Sequence, residues 1–323
     1  MKDKYKREID YLRLSVTDSC NLRCIYCMEE NAQNFLESSN KLSDDEIIKI
    51  VKAASNLGIK KIRITGGEPL VRPNIVELIG KINGIEGIEE IYMTTNGILL
   101  ADKVEKLVKN GLTGVNISLD SLNKDRFKQI TRLGGFDQVM NAIDKSIEFG
   151  LKVKLNTVIV DEINDDEILD FVKLTLDKKI DVRFIELMPI GVGKVHKGLS
   201  NEEIRGIIKS NFNGIDEIGK DKKGGPAKYI KLENSLGKVG FISAMSNCFC
   251  EECNRIRVTP EGFLKQCLHF DYGVDLRDKI RAGVSDKELQ DIIENTIYNK
   301  PEKHLFDKND KDKELRFMNQ IGG

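Results

Sequence analysis

Nowhere in the 323 residues do about eighteen apolar residues run together, and Met1 to Asp10 is a mixed-charge stretch without the apolar segment of a secretory leader. A membrane partner is therefore not expected, and a soluble, cytoplasmic protein is. Excess charge of either sign is missing as well: 51 Lys and Arg oppose 52 Asp and Glu, for a net charge of -1 in a chain that is 32% charged. No global field points to nucleic acid or a membrane surface, so an anionic ligand has to be held by local cations. Cysteine is absent from the long middle of the chain. All seven fall into two groups, Cys20, Cys24 and Cys27 near one end and Cys248, Cys250, Cys253 and Cys267 near the other. With nothing marking the chain for an oxidising compartment, this spacing argues for two separate metal sites rather than disulfides.

What is present is a repeated unit. Apolar runs at Leu12–Thr17, Lys61–Thr65, Glu90–Thr95, Gly114–Leu119, Val153–Ile159 and Val182–Leu187 alternate with amphipathic helical patterns, as in successive βα units. The first helix carries a capping box, Ser43 with Glu46, an apolar face of Ile47, Ile50, Val51 and Ala54, and a stop at Gly58. Similar faces recur at Val104–Val108 and at Ile168, Phe171 and Val172. Right-handed crossovers would curl about six parallel strands into a partial or full (βα) barrel, an α/β fold with catalytic groups at the strand C-termini. After a capped helix at Ser200–Ile208, the Lys/Gly-rich stretch Lys220–Gly225 reads as a solvated loop. Beyond it, short β segments surround the second cysteine group, and a helical segment, Ser285–Asn299, precedes a polar tail. The expected division is a barrel domain over 1–215 and a smaller α+β, cluster-binding and substrate-binding region over 216–323.

Cys20-Asn-Leu-Arg-Cys24-Ile-Tyr-Cys27 follows directly on the first strand. Three thiolates on a short loop can each hold one iron of a cubane cluster and leave the fourth iron open. Structural zinc would want four closed ligands, and no histidine or fourth cysteine is near in sequence. The bland reading, three buried cysteines acting as small hydrophobes, requires a coincidence of spacing. Gly66-Gly67-Glu68-Pro69 ends the second strand, where paired glycines allow backbone to approach a ligand closely. By itself that signal is an ordinary βα turn. Together, the Cys-x3-Cys-x2-Cys spacing, with Tyr26 before the last cysteine, and the glycine pair resemble the radical S-adenosylmethionine (SAM) superfamily. The resemblance implies a 4Fe-4S cluster on Cys20, Cys24 and Cys27 whose open iron is chelated by SAM, with Tyr26, Gly67, Ser118 and Met188 as SAM contacts. Unaided, Ser118 reads as a turn or cap and Met188 as core filler.

In the second group, Cys250-Glu-Glu-Cys253 and the later Cys267 again supply three thiolates. Cys248 makes a closed zinc site or a fully ligated cluster chemically open. If the stretch is extended, however, Cys248 and Cys250 point to opposite faces, and Cys248 is expected not to be a ligand. Arg255 and Arg257 stand at alternate positions of a strand and would project together, suited to an anion such as a triphosphate. The plain alternative is surface pairing with Glu251 or Glu252.

The run from Phe249 to Arg257, the later Cys267-Leu and the terminal Gly322-Gly323 resemble the GTP 3′,8-cyclase family of molybdenum cofactor biosynthesis, and the resemblance extends back to Leu12. It implies a second 4Fe-4S cluster on Cys250, Cys253 and Cys267, and GTP held by Arg13, Arg63, Thr94, Lys154, Arg255 and Arg257. Arg13, Lys154, Arg255 and Arg257 are the residues it implies in catalysis. The implied reaction converts GTP to 3′,8-cyclo-7,8-dihydroguanosine 5′-triphosphate by hydrogen abstraction at C3′ and attack on C8. Implied partners are a reductant such as flavodoxin or ferredoxin, cyclic pyranopterin monophosphate synthase as the next enzyme, and a second copy in a homodimer. The Gly-Gly tail is implied to enter the active site. Departures are Ser19, where a basic residue is common, and the additional Cys248. Competing readings are a peptide-modifying radical SAM enzyme with an auxiliary cluster, and a non-catalytic iron-sulfur or zinc regulatory protein.

Overall fold

The computed structural model describes residues 1–33, 35–220, 225–304 and 314–322. The six expected strands form with their ends shifted by a residue or two: β1 (Tyr11–Ser15), β2 (Lys61–Thr65), β3 (Glu90–Thr95), β4 (Gly114–Ser118), β5 (Lys152–Thr157) and β6 (Asp181–Ile185). Between them run α1 (Asp44–Asn56), α2 (Ile75–Asn83), α3 (Val104–Lys109), α4 (Lys124–Thr131), α5 (Phe136–Glu148) and α6 (Ile168–Asp177), followed by α7 (Asn201–Asn211). Helix α1 begins at the expected capping box. Ser43 Oγ accepts from Glu46 N at 3.2 Å, and Glu46 Oε2 accepts from Ser43 N at 2.7 Å. It stops where Gly58 takes a φ of +90°, left-handed backbone that a side chain would strain.

The sheet differs from the expected six strands. The C-terminal region contributes β7 (Ile215–Lys220), β8 (Lys228–Leu232), β9 (Val239–Ile242), β10 (Arg255–Val258), β11 (Phe263–Lys265) and β12 (Val274–Asp275), and the twelve strands among the described residues join one sheet in the order 12-11-10-1-2-3-4-5-6-9-8-7. Strand β10 lies parallel to β1, and β9 lies parallel to β6. The parallel run is thus eight strands long among the described residues, because sequence periodicity finds strands but does not state which edge each will join. The linker between β9 and β10 carries Cys248, Cys250 and Cys253 from one flank of the parallel sheet to the other. Helices α8 (Leu276–Arg281) and α9 (Asp286–Tyr298) pack on the α1 side, and the chain ends in α10 (Met318–Ile321). Residues 221–224 of the expected Lys220–Gly225 loop, 305–313 of the tail, and the final glycine lie outside the described residues.

Alternation along the strands sorts the two faces. Leu12, Leu14, Ile62, Ile64, Val115, Ile117, Val182 and Phe184 join the apolar core beneath the helices. Their alternates are polar: Arg13, Arg63, Thr94, Asn116, Lys154 and Arg183 occupy the other face. A barrel interior closed for stability alone is filled with branched apolar side chains. This inner face is built for something else.

Candidate active site

Strand register aligns the inner cations. Arg13 pairs in register with Arg63 on one side and Arg257 on the other, and Asn116 with Lys154. Arg183 stands beside Asn156, whose Oδ1 accepts a hydrogen bond of 2.5 Å from Arg183 Nη2. Three of them are out of water, Arg63, Arg183 and Arg257 being 9%, 5% and 8% exposed, while Arg13 and Lys154 are half-buried. The Nε atoms of Arg13, Arg63 and Arg183, Thr94 Oγ1 and both amide atoms of Asn116 are buried without a hydrogen-bond partner.

Burial, reinforced by Arg257, pushes the Arg13 guanidinium far below its ordinary pKa, and burial with Arg255 brings Arg257 down to about 10. Burial alone would raise the phenol of Tyr11, but Arg63, Arg13 and Arg255 outweigh it and pull it below its usual value. The field on this face is strongly positive. Arg63 is also held between two rings, 5.5 Å from the Tyr11 centroid and 5.4 Å from that of Tyr92. Like charges buried together require an anion, and several donors in one place suit a polyanion with many acceptor oxygens.

At the strand C-termini lies the first cysteine loop. Cys24 O accepts from Cys27 N at 3.0 Å, which folds the loop on itself, while Arg23 N and Ile25 N bond to the carbonyls of Thr131 and Ile130 at the end of α4. The three sulfurs are close enough to oppose one another's ionisation. Burial, then Cys27, Asp120 and Cys20, raise the Cys24 thiol far above its ordinary value; Cys20 rises to about 11 and Cys27 to about 12, in both cases mainly through burial. Three half-buried thiols gathered on one loop would give up their protons only to a strongly cationic partner, such as an iron cluster that takes all three as thiolates. The donor set fits a cubane with one iron left open.

Gly67 lies against this loop. Its N donates to Thr17 O at 2.7 Å, and a Cβ there would stand 2.5 Å from Asp18 O and 2.6 Å from Ser19 O. Tyr26 OH donates to Asp120, and Ser118 ends β4 beside Asn156. The carbonyls of Tyr26 and Met188 both approach Gly193, standing 3.2 Å and 3.0 Å from where a Cβ there would lie. The structure thus gathers the residues expected to touch SAM at one end of the sheet.

The second cysteine group differs in its electrostatics. Burial opposes the thiolate of Cys253, but Lys300 and Arg255 prevail and lower it to about 6. Cys267, followed by Cys253, in turn favours the Arg257 cation, so the second thiol group adjoins the cationic face. Arg255 lies 4.7 Å from the Phe249 ring centroid. The stretch around Cys248 is not extended as expected. Phe249 takes φ −103° and ψ 28°, so the chain turns there instead of running extended, and the donor atoms of Cys248, Cys250 and His304 lie within 4.8 Å of one another.

The C-terminal tail reaches the inner face. Arg257 Nη1 donates to Gly322 O at 2.9 Å, Asn319 Nδ2 donates to Asp18 O at 3.0 Å, and a Cβ on Gly322 would stand 2.6 Å from Thr65 Oγ1. Buried Lys265 pairs with Glu314, and Arg316 bonds to Glu314 and Glu261, fixing the segment that leads there.

Sequence reasoning missed Arg183, whose signal was its alternation with Val182 and Phe184 on the same pattern as Arg13 and Arg63. It also missed Glu68. That carboxylate is fully buried, accepting from Leu70 N, Thr95 Oγ1 and Asn96 N, while Asn96 Nδ2 bonds to Asn21 Oδ1 in the cysteine loop.

Comparison with known proteins agrees with this geometry. The Radical SAM superfamily profile matches residues 14–175, and that of Molybdenum Cofactor Synthesis C matches residues 180–306. The GTP 3′,8-cyclase of Clostridium perfringens (strain 13 / Type A) is 58% identical over 323 residues, and that of Alkaliphilus oremlandii (strain OhILAs) is 47% identical over 328, each alignment covering 100% of both chains. Among solved structures, Streptococcus suis SuiB bound to precursor peptide SuiA aligns with a TM-score of 0.65 at 14% identity, covering 92% of this chain and 66% of SuiB. SuiB bound to S-adenosylmethionine gives 0.62 at 16%, covering 81% and 60%. At such identity SuiB attests the fold alone. The full-length relatives and the two profiles go further: this chain belongs to the radical SAM superfamily and, within it, to the GTP 3′,8-cyclase family.

Proposed function

We propose that the protein is a radical SAM enzyme that joins C3′ of the ribose of GTP to C8 of its guanine, the entry reaction of molybdenum cofactor biosynthesis. The observation that carries this reading is the row of cations on the inner face, with three buried guanidinium Nε atoms unpartnered, between two incomplete sets of thiols. Cys20, Cys24 and Cys27 hold the first 4Fe-4S cluster, with Gly67, Tyr26, Ser118 and Met188 around SAM, and Cys250, Cys253 and Cys267 hold a second cluster. When bound, the first cluster and SAM supply the radical chemistry that removes hydrogen from an unreactive carbon.

The chain's own residues do the rest. Arg13, Arg63, Lys154, Arg255 and Arg257, joined by Arg183, take the triphosphate oxygens as charge-assisted hydrogen-bond donors, and Thr94 offers its hydroxyl. Holding the triphosphate at several points fixes the ribose and base, so a reaction at C3′ gains from orientation instead of awaiting collision. The tail packed between Ser15 and Thr65 and bonded to Arg257 keeps water from that face. A barrel unit over 1–215 and a cluster and substrate unit over 216–323 share the labour across one sheet. Among the described residues no helix is long and apolar enough to cross a membrane, which is in keeping with a cytoplasmic enzyme. A flavodoxin or ferredoxin as electron donor, cyclic pyranopterin monophosphate synthase as the consumer of the product, and a homodimeric state complete the proposal.

The test is release of 5′-deoxyadenosine by anaerobically reconstituted protein given reductant, SAM and each nucleoside triphosphate in turn. Release dependent on GTP, abolished by Cys27→Ala and uncoupled from GTP turnover by Cys267→Ala, is expected. Release indifferent to the nucleotide, or about one zinc and no iron per chain, would reject it.

A further inference from the structure

We propose that Cys248, Cys250 and His304 form a binding site for a single soft divalent cation of the zinc class, filled when the second cluster is absent and competing with its assembly through the shared Cys250. The site itself stands on geometry. The competition rests on the reading that Cys250 is a cluster ligand.

The donor atoms of the three side chains lie within 4.8 Å of one another. Metal bonds of about 2.3 Å to sulfur and 2.0 Å to nitrogen put tetrahedral ligand atoms roughly 3.5–4 Å apart, so one ion requires only a small contraction. Two thiolates and a neutral imidazole carry charge −2, neutralise a divalent ion and leave one tetrahedral position for water. Thiolate and imidazole together favour zinc over the hard cations magnesium and calcium.

The arrangement is built rather than incidental. Arg7, 7% exposed and locked by Asp3 at 2.6 Å, donates from Nη1 to Cys250 O and to Glu302 O, both at 2.8 Å, and from Nη2 to Pro301 O at 2.7 Å. One buried guanidinium thereby clamps the Cys250 loop to the segment that brings in His304. Lys300 Nζ, bonded to Gln266 O, fixes the same segment from the other side. The turn at Phe249 then carries Cys248 back over Cys250. Access is from solvent, because Cys248 is exposed and borders a cavity of about 200 Å³ whose wall includes Glu251 and Glu252, carboxylates that draw in a cation.

Full-length protein, freed of iron and sulfide under reducing, oxygen-free conditions, is titrated with Co²⁺ alone. Thiolate charge-transfer and tetrahedral ligand-field absorption report the ligands, and difference spectra against the unsubstituted protein cancel any contribution from Cys20, Cys24 and Cys27. The expected result is a component lost in Cys248→Ser and in His304→Ala and retained in Cys253→Ser and Cys267→Ser. Loss in the latter pair with retention in Cys248→Ser, or identical spectra throughout, overturns the site. Thermal unfolding of each metal-free variant identifies any loss due to misfolding, and Cys248→Ser, at an exposed position, remains the decisive variant.

Preloading one Zn²⁺ per chain before reconstitution is expected to halve iron uptake, from about eight to about four, in the unsubstituted protein and not in Cys248→Ser. Unchanged uptake overturns the competition. Cys253→Ser and Cys267→Ser reconstituted without zinc test the cluster reading separately: full iron content there rejects that reading and leaves the cobalt result standing on its own.

Discussion

Replacing Arg183 by Met should move stability and GTP affinity in opposite directions. The guanidinium is 5% exposed, its Nε is unpartnered, and its Nη2 donates to Asn156 Oδ1. In the absence of nucleotide the protein bears the desolvation penalty of a buried cation, several kcal/mol in effective terms. Met fills a similar volume without that penalty. The lost bond to Asn156 returns about 1.5–3 kcal/mol of the difference, so a net gain of about 1–2 kcal/mol is expected, a rise of a few degrees in Tm. With GTP bound, a buried, charge-assisted contact to phosphate is missing, which costs about 2–5 kcal/mol, or roughly 30- to 4,000-fold in Kd. Arg183→Lys keeps the charge and should fall between. Anaerobic calorimetry of GTP binding and thermal unfolding without ligand read the two effects separately. A variant that binds GTP within about threefold of the parent, or that is less stable than the parent without nucleotide, refutes the argument that this face is held in readiness for an anion.

Burial raises Glu68 from 4.5 to about 7 despite three hydrogen bonds that favour its charged form. The folded chain therefore binds this proton more tightly than the unfolded chain. The corresponding stability, about 3 kcal/mol, is fully present below about pH 4.5 and is lost as pH rises to about 7. Unfolding of cofactor-free protein across pH 5 to 8 should show that slope, and Glu68→Gln should flatten it. Gly67→Ala places a Cβ 2.5 Å from Asp18 O and 2.6 Å from Ser19 O. The cysteine loop must then shift, and loss of SAM cleavage with about 1–3 kcal/mol of stability is expected; retained cleavage contradicts the close approach. Gly322→Ala directs a Cβ at Thr65 Oγ1 and Ser15 Cβ, 2.6 Å and 2.7 Å away, which expels the tail. GTP turnover should fall at least tenfold while SAM cleavage persists, and equal losses in both would contradict the separation of the two sites.

Most of what depends on local chemistry was legible in the order of the residues. Alternation of Leu12 and Leu14 with Arg13, or of Ile62 and Ile64 with Arg63, specified strands with one apolar face. Cysteine spacing specified a loop able to present three thiols, and Ser43 with Glu46 marked a helix start because the cap bonds are made within one turn. What depends on residues far apart in the chain came from packing between distant segments. Strands β9 and β10 join opposite flanks, which stretches the second cysteine group between them. Arg183 becomes a member of the cationic face only through its register beside Asn156. Cys248 turns toward Cys250 because Phe249 leaves the extended conformation and Arg7, from the far end of the chain, clamps the loop. Local patterns record the preferences of neighbouring residues, whereas strand order, register and clamping are set by packing between segments that no local pattern describes.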